Sequence, residues 1–219
     1  MASGRLTRDS DILAELPLPQ SGILQYESQM PYPNHTFVTT HGFPPHIVEG
    51  YMAQLYLRKQ LNKVHNLLYD PEKELEPHRV EAMEAEVNEI QRLLKHAKST
   101  WVPGHYRWND GDDLPNEILS ARLRAKYWGS QVILYRPFLK LILEGDAQHP
   151  PPFQRENGPP DAMMLKTIEE RRASLYGPQT IENARLAISA LIESTRAFHG
   201  IDTSSKRIII TNVFGTAHA

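Results

Sequence analysis

The chain has 219 residues, of which 40% are hydrophobic and 23% charged, which is typical of globular rather than disordered proteins. Its formal net charge of −2 excludes the strongly basic surface of a stand-alone nucleic-acid-binding domain. It contains no cysteine, which excludes disulfides and thiolate zinc sites within these residues.

The first 45 residues are rich in proline. Each proline blocks helix continuation and favours an extended conformation at the residue before it. We therefore expect an irregular lead-in over residues 1–45, with a short helix around Asp9–Glu15. The prolines stand at positions 17, 19, 31, 33, 44 and 45.

From residue 46 onward the spacing of apolar residues is mostly helical, which predicts a helical region over residues 46–219. Its first helix is predicted to begin at Pro45 and to end at Tyr69, because Asp70-Pro71 is a helix-ending signal. The predicted apolar stripe of this helix consists of Ile47, Tyr51, Leu55, Leu61, Val64 and Leu68.

A second helix is predicted from about Pro77 to Thr100. Acidic residues come early in it and basic residues late, as the helix dipole favours, so its polar face is interpreted as solvated. Its predicted apolar stripe consists of Val80, Met83, Val87, Ile90 and Leu94.

A third helix is predicted to begin at Pro115-Asn116, where a proline near the first turn loses no hydrogen bond. Pro137 predicts a kink or a break, with the helix resuming toward Leu143. Residues 144–161 contain five prolines and two glycines and predict a loop, and a short helix is expected over Met163–Leu175.

A last amphipathic helix is predicted to begin at Pro178, with Gly200 as its C-terminal cap. Ile208–Ile210 is read as a strand or an extended link, and strand signals elsewhere are weak, so the predicted fold class is all-α. The predicted apolar stripe of the last helix consists of Ile181, Ala184, Ile188, Leu191, Ile192, Thr195 and Phe198.

Two groups of residues could hold a cation, but neither forms a recognised motif. Asp110, Asp112 and Asp113 lack the ordered ligands of a calcium-binding loop, so helix capping and solvation explain them better. His41 and His46 have no accompanying carboxylate pattern. Nucleotide-binding loops and nucleophile elbows are also missing from the sequence. We therefore expect neither an enzyme nor a metal or other cofactor site.

The third helix interleaves basic and aromatic residues, which admits three interpretations. Nucleic-acid binding is weakened because the bases Arg122, Arg124, Lys126, Arg136 and Lys140 do not share one face. Aromatic residues could line a small-molecule pocket or fill the core, and the core is favoured. The candidate ligand-lining or core-lining residues are Tyr127, Trp128, Tyr135, Arg136 and Phe138.

The charge in this helix that is most expected to be buried or half-buried is Arg136. Its guanidinium could donate hydrogen bonds to carbonyls that Pro137 leaves without a donor, or pair with Asp112 or Asp113. The other arginines are expected to pair with acids of the preceding loop.

Five segments of the chain form an ordered pattern, namely DILAELPLPQSGILQYE (11–27), YMAQLYLRKQLNKVHNLLYDP (51–71), LPNEILSARLRAKYWGSQVILYRPFL (114–139), IENARLAISALIESTRAFHGI (181–201) and RIIITNVFGTAHA (207–219). In this order they resemble the C-terminal regulatory region of fungal binuclear zinc cluster (six-cysteine) transcription factors. The family's arginine-proline-phenylalanine helix is similar to the third helix here, and TNVFGTAHA resembles a later part of the same region.

This resemblance implies an all-helical array of antiparallel helix pairs that regulates an activator and is able to sense a small molecule, without enzymatic activity. It implies a nuclear location and protein partners in the transcription machinery or a full-length relative. The residues also leave open the alternative of a helical protein-interaction or small-molecule-sensing module without a transcriptional role. The family's cysteine ladder, coiled coil and most of its middle homology region are missing from this sequence, so we expect a fragment without direct DNA contact. We also expect no membrane association, and self-association through apolar faces that would otherwise contact missing neighbours.

Overall fold

The computed structural model describes residues 34–69, 83–109, 111–148 and 173–201, together with residues 26, 29, 31, 32, 166, 170 and 171. Over these residues the regular elements are all helical, which confirms the predicted all-α class. Within this part of the chain no helix is long and apolar enough to cross a bilayer. The main helices are α1 (His35–Thr40), α2 (Pro45–Leu68), α3 (Glu84–His96), α4 (Ile118–Gln148) and α5 (Pro178–Arg196).

Several predicted features lie outside the described residues. The expected helix at Asp9–Glu15, the start of the second helix with Val80, Asp110 and the Ile208–Ile210 segment belong to this group. Within the proline-rich lead-in, however, the structure has the short helix α1, which the sequence did not predict. The side chain of Asn34 caps α1 by accepting a hydrogen bond from the backbone N–H of Phe37 at 3.0 Å.

The predicted bounds of α2 are confirmed, but half of its predicted apolar stripe is wrong. The helix starts with Pro45 at its first position and ends at Leu68, directly before Tyr69. In its C-terminal half the predicted residues are buried, whereas Ile47 and Tyr51 are exposed. The N-terminal half turns a different face inward, because its contact with Tyr106 lies on the side of Gly50. The buried apolar residues of α2 are Val48, Ala53, Leu57, Leu61, Val64 and Leu68.

The described part of the second predicted helix, α3, matches its sequence pattern closely. Met83, Val87, Ile90 and Leu94 are all buried. Acidic residues stand in its first turn and basic residues in its last turn, as expected. A π-helical turn, Ala97–Trp101, follows and places the Trp101 ring against Tyr56, with their centroids 4.3 Å apart.

Helix α4 is 31 residues long and runs through Pro137 without a break. A proline at position 137 cannot donate the helical hydrogen bond that the Ile133 carbonyl would otherwise accept. The hydroxyl of Tyr69, at the end of α2, donates to this carbonyl at 2.7 Å. The interruption of the backbone ladder is therefore repaired by a neighbouring helix.

The prediction that Arg136 is buried or half-buried is wrong, because the structure leaves it exposed. The carbonyl that Pro137 leaves free is taken by Tyr69 instead. The buried arginine of α4 is Arg124, which donates to the backbone carbonyl of Asp113 at 3.1 Å and contacts Glu193 of α5 at 3.6 Å. The expected contact between an arginine and the acidic loop thus exists, but Arg124 donates to a backbone carbonyl of the loop rather than to a carboxylate.

The predicted loop over residues 144–161 begins later than expected, because α4 continues to Gln148. A helix can extend through Glu144–Gln148 because the first proline of the loop stands at position 150. Residues 149–161 lie outside the described part. The described residues of the expected helix at Met163–Leu175, namely 166, 170, 171 and 173–175, are helical.

Helix α5 begins at Pro178 as predicted, but Ala184 is the one member of its predicted stripe that is fully buried, and the helix packs mainly through small residues. Its buried residues are Thr180, Asn183, Ala184, Ala187 and Ala190, whereas Ile188, Leu191 and Ile192 are about half exposed. Small side chains let two helix backbones approach closely, and the most extensive helix contact of the described residues is that between α4 and α5.

Gly200 is not the C-terminal cap of α5, because the helix ends at Arg196 and the cap residue is Ala197. A side chain at position 200 would stand 2.6 Å from the carbonyl oxygen of Pro115 and 2.9 Å from Leu114. Glycine therefore permits the turn after α5 to lie against the segment before α4.

Candidate functional site

A cleft of about 410 Å³ lies where α2, α4 and α5 meet. Helix α4 supplies most of its wall, from positions that repeat at intervals of three and four and therefore share one face of the helix. Gln54 and Leu61 of α2 close one side. Ser194 of α5 and Phe198 of the following turn close the other. The lining residues from α4 are Arg122, Ala125, Lys126, Gly129, Ser130 and Ile133.

The predicted aromatic residues of α4 lie on other faces of the helix and do not line this cleft. Tyr127, Tyr135 and Phe138 are buried in the hydrophobic core, as the favoured interpretation expected. Trp128 is partly buried and packs edge-on against Tyr127, with a centroid distance of 5.2 Å. Arg136 is exposed. The core-facing and the cleft-facing residues therefore lie on different sides of α4.

Two cations line the cleft, and they stand one helical turn apart. Residues four apart on a helix are neighbours on its surface, so Arg122 and Lys126 project toward the same space. Arg122 is exposed at the rim, whereas Lys126 is partly buried. Burial, followed by the nearby charge of Arg58, lowers the pKa of Lys126 to about 7.

Glu193 directly precedes the cleft residue Ser194 in the sequence, but its carboxylate is engaged by other residues. One of its carboxylate oxygens accepts a hydrogen bond from Arg196 at 2.8 Å, and the other lies 3.6 Å from Arg124. Among the described residues, no carboxylate forms an ion pair with Lys126, and no acid contributes to its pKa. The positive charge of the cleft is therefore not compensated by the part of the protein that the structure describes.

The hydroxyl groups in the cleft are used to hold the helices. The Ser130 hydroxyl donates to the carbonyl of Lys126 at 2.8 Å, within α4. The Ser194 hydroxyl donates to the carbonyl of Ala125 at 3.4 Å, and this bond crosses from α5 to α4. The donors that remain for a bound molecule are the two cationic side chains and the amide of Gln54, and the apolar side chains of Leu61, Ile133 and Phe198 line the rest of the cleft.

Arg58 of α2 extends the positive charge behind the cleft. It is buried, and desolvation lowers its pKa to about 10. The same residue contributes to the low pKa of His65, whose principal cause is burial. The wall of the cleft that α2 forms is thus backed by a buried cation.

The cations of the cleft were visible in the sequence only as ordinary helix bases. By residue type, Arg122 and Lys126 do not differ from the other bases Arg124, Arg136 and Lys140. A spacing of four also relates Arg136 to Lys140, so the local feature that sets Arg122 and Lys126 apart is the pair of small neighbours Ala125 and Gly129. Small residues leave space beside a helix, but they do not show which other helices will enclose that space.

The groups considered as metal ligands do not converge in the described residues. Asp112 accepts a hydrogen bond from the backbone N–H of Asn109 at 2.6 Å and thus stabilises a turn of the loop. A ring nitrogen of His41 lies 2.7 Å from the carbonyl of Phe37. Within the described part of the chain, no group of three or more possible ligands is found.

Comparisons of the chain with protein-family models, with curated proteins and with solved structures gave no match.

Proposed function

We propose that this chain is a ligand-responsive part of the regulatory region of a fungal zinc cluster transcription factor. The cleft between α2, α4 and α5 is the observation that carries the proposal, because a ligand there would contact all three helices. Three of the segments on which the resemblance rests, 51–71, 114–139 and 181–201, cover most of these same helices. The finer arrangement of antiparallel helix pairs is part of the proposal.

A ligand in the cleft would act by changing how firmly α5 is held against α4. The present links between these helices include the Arg124–Glu193 ion pair and the bond from Ser194 to Ala125. A molecule that also bridges Lys126 and Phe198 would add to them. Ligand binding stabilises whichever conformation it prefers, so the position of α5 would report ligand concentration.

In this proposal the chain acts in the nucleus through protein contacts, without DNA contact or catalysis of its own. Its partners are the transcription machinery or a full-length relative. The exposed aliphatic residues of α5, which are Ile188, Leu191 and Ile192, are the surface through which such a contact would form.

The test places the full chain between a heterologous DNA-binding domain and an activation domain in a yeast reporter strain. The wild-type chain should restrain the reporter, and Lys126→Met should change this restraint severalfold. Lys140→Met is the matched control, since Lys140 is an exposed lysine of the same helix that forms an ion pair with Glu144 at 3.5 Å. A chain without effect on the reporter would contradict the proposal.

A second candidate function is a helical protein-interaction module without a transcriptional role. The half-exposed Ile188, Leu191 and Ile192 favour it, because an aliphatic face on a surface helix is a common docking surface for a partner. Under this alternative, Leu191→Glu should abolish partner binding, whereas Lys126→Met should have no effect in any assay.

A further inference from the structure

The chemistry of the cleft narrows the class of molecule that it can bind. Its charged groups are the permanent cation Arg122 and the partly buried Lys126, and no described carboxylate pairs with the latter. Burying an uncompensated charge is unfavourable, and an anionic ligand would relieve this. The cleft therefore favours a molecule that carries negative charge.

The remaining walls favour a molecule that is mostly apolar. Leu61, Ile133 and Phe198 surround the space beside the cations. Because the hydroxyls of Ser130 and Ser194 donate to backbone carbonyls, they are poorly placed to donate to a sugar or a phosphate. The volume of about 410 Å³ is in the range of small-molecule sites.

We infer that the cleft binds a small amphipathic monocarboxylate, with its acid group between Arg122 and Lys126 and its apolar part against Leu61, Ile133 and Phe198. This inference rests on the proposed function, since it names the chemical class of the effector. It assigns Lys126 the role of an effector-binding residue whose positive charge is balanced by the carboxylate of the ligand.

Binding of such a ligand should be coupled to uptake of a proton by Lys126. The charge of Arg58 on α2 acts on this lysine, and Arg122 on α4 lines the same cleft. On α5, Glu193 precedes the cleft residue Ser194 in the sequence, but its carboxylate is held by Arg124 and Arg196. A carboxylate beside the lysine would favour its protonated form. Because its pKa in the free protein is about 7, uptake should be near half a proton at pH 7 and near one at pH 8.

The test is calorimetric titration of the full chain with octanoate and with 3-phenylpropanoate, each compared with its neutral amide. At least one acid should bind at least tenfold more tightly than its amide, and the preference should disappear in Lys126→Met. Lys140→Met should bind as the wild type does. Repeating the titrations in buffers of different ionisation enthalpy measures the proton uptake, which needs no variant.

Three results would overturn the inference. They are no saturable binding of either acid at millimolar concentration, equal binding of acid and amide, and binding of inorganic phosphate as tight as that of the acids. None of these results would by itself contradict the proposed function. If the reporter still depends on Lys126, the proposed function stands and the ligand belongs to another chemical class. Carboxylate binding without any reporter effect would contradict the proposed function alone.

Discussion

At the residue scale, the most informative contact is that of Tyr69 with the carbonyl of Ile133. Pro137 deprives this carbonyl of its helical donor, and the tyrosine hydroxyl of α2 replaces it. Burial raises the pKa of Tyr69 to about 12, so the hydroxyl keeps its proton over the physiological range. A helix of 31 residues can therefore contain a proline without ending there.

Tyr69→Phe should destabilise the protein by about 1–3 kcal/mol, because the carbonyl of Ile133 would be left without a donor. Urea denaturation measures this difference. The control is the same substitution in a Pro137→Ala background, where the backbone N–H of the new residue can donate to that carbonyl. An equal loss in both backgrounds would show that the hydroxyl does not replace the missing helical bond.

The buried His65 side chain should make the free energy of unfolding depend on pH. Burial is the main cause that lowers its pKa to about 4, with Arg58 and Arg136 adding to the effect. Between about pH 6.5 and 4 the unfolded chain binds a proton that the folded chain does not. Stability should therefore fall as the pH falls, with a slope from this residue of up to about 1.4 kcal/mol per pH unit.

The measurement is the free energy of unfolding at pH 7.0, 6.0 and 5.0 for the wild type and His65→Gln. Glutamine keeps a polar side chain but has no proton to gain, so the variant should lose much less stability over this range. Parallel curves for the two proteins would assign the pH dependence to other groups.

At the scale of the element, α5 shows why a hydrophobic pattern does not by itself identify the buried face. The predicted stripe consisted mostly of large apolar side chains, whereas the structure buries Ala184 of that stripe together with Ala187 and Ala190 outside it. Close packing against α4 selects small residues, and this selection depends on the partner helix. In α3 the pattern was sufficient, because its apolar residues form a single narrow stripe.

Ala187→Leu should destabilise the protein by about 1–3 kcal/mol, since the added carbon atoms would have to separate α5 from α4. The neighbouring substitution Ile188→Ala should change stability by no more than about 0.5 kcal/mol, because residue 188 is half exposed. Urea denaturation of both variants gives the comparison. The reverse order of effects would mean that the predicted stripe is the buried face.

At the scale of the whole molecule, local signals were enough for the class of fold and the bounds of several helices. Prolines and apolar spacing predicted both ends of α2 and the start of α5, whereas α4 begins at Ile118, three residues after the proline that was expected to open it. The cleft could not be predicted in this way, because the small residues beside Lys126 do not show which other helices will border it. The residues that define the candidate site are therefore a property of tertiary packing.

The exposed aliphatic face of α5 predicts concentration-dependent self-association of the full chain. Leu191→Glu should reduce it, since a charge there would be buried in the contact, whereas Ser189→Glu adds the same charge at an exposed neighbouring position. Sedimentation velocity over a range of concentrations measures the change. A wild-type chain that stays monomeric at all concentrations would exclude this contact between copies.

The most direct test of the ligand site is an NMR titration of the ¹⁵N-labelled full chain with octanoate. The largest amide shift changes should fall on the cleft face of α4, from Arg122 to Ile133, and on Ser194–Phe198, and they should be lost in Lys126→Met. Changes confined to the exposed face of α5, around Ile188 and Leu191, or no saturable changes, would contradict a ligand site in the cleft.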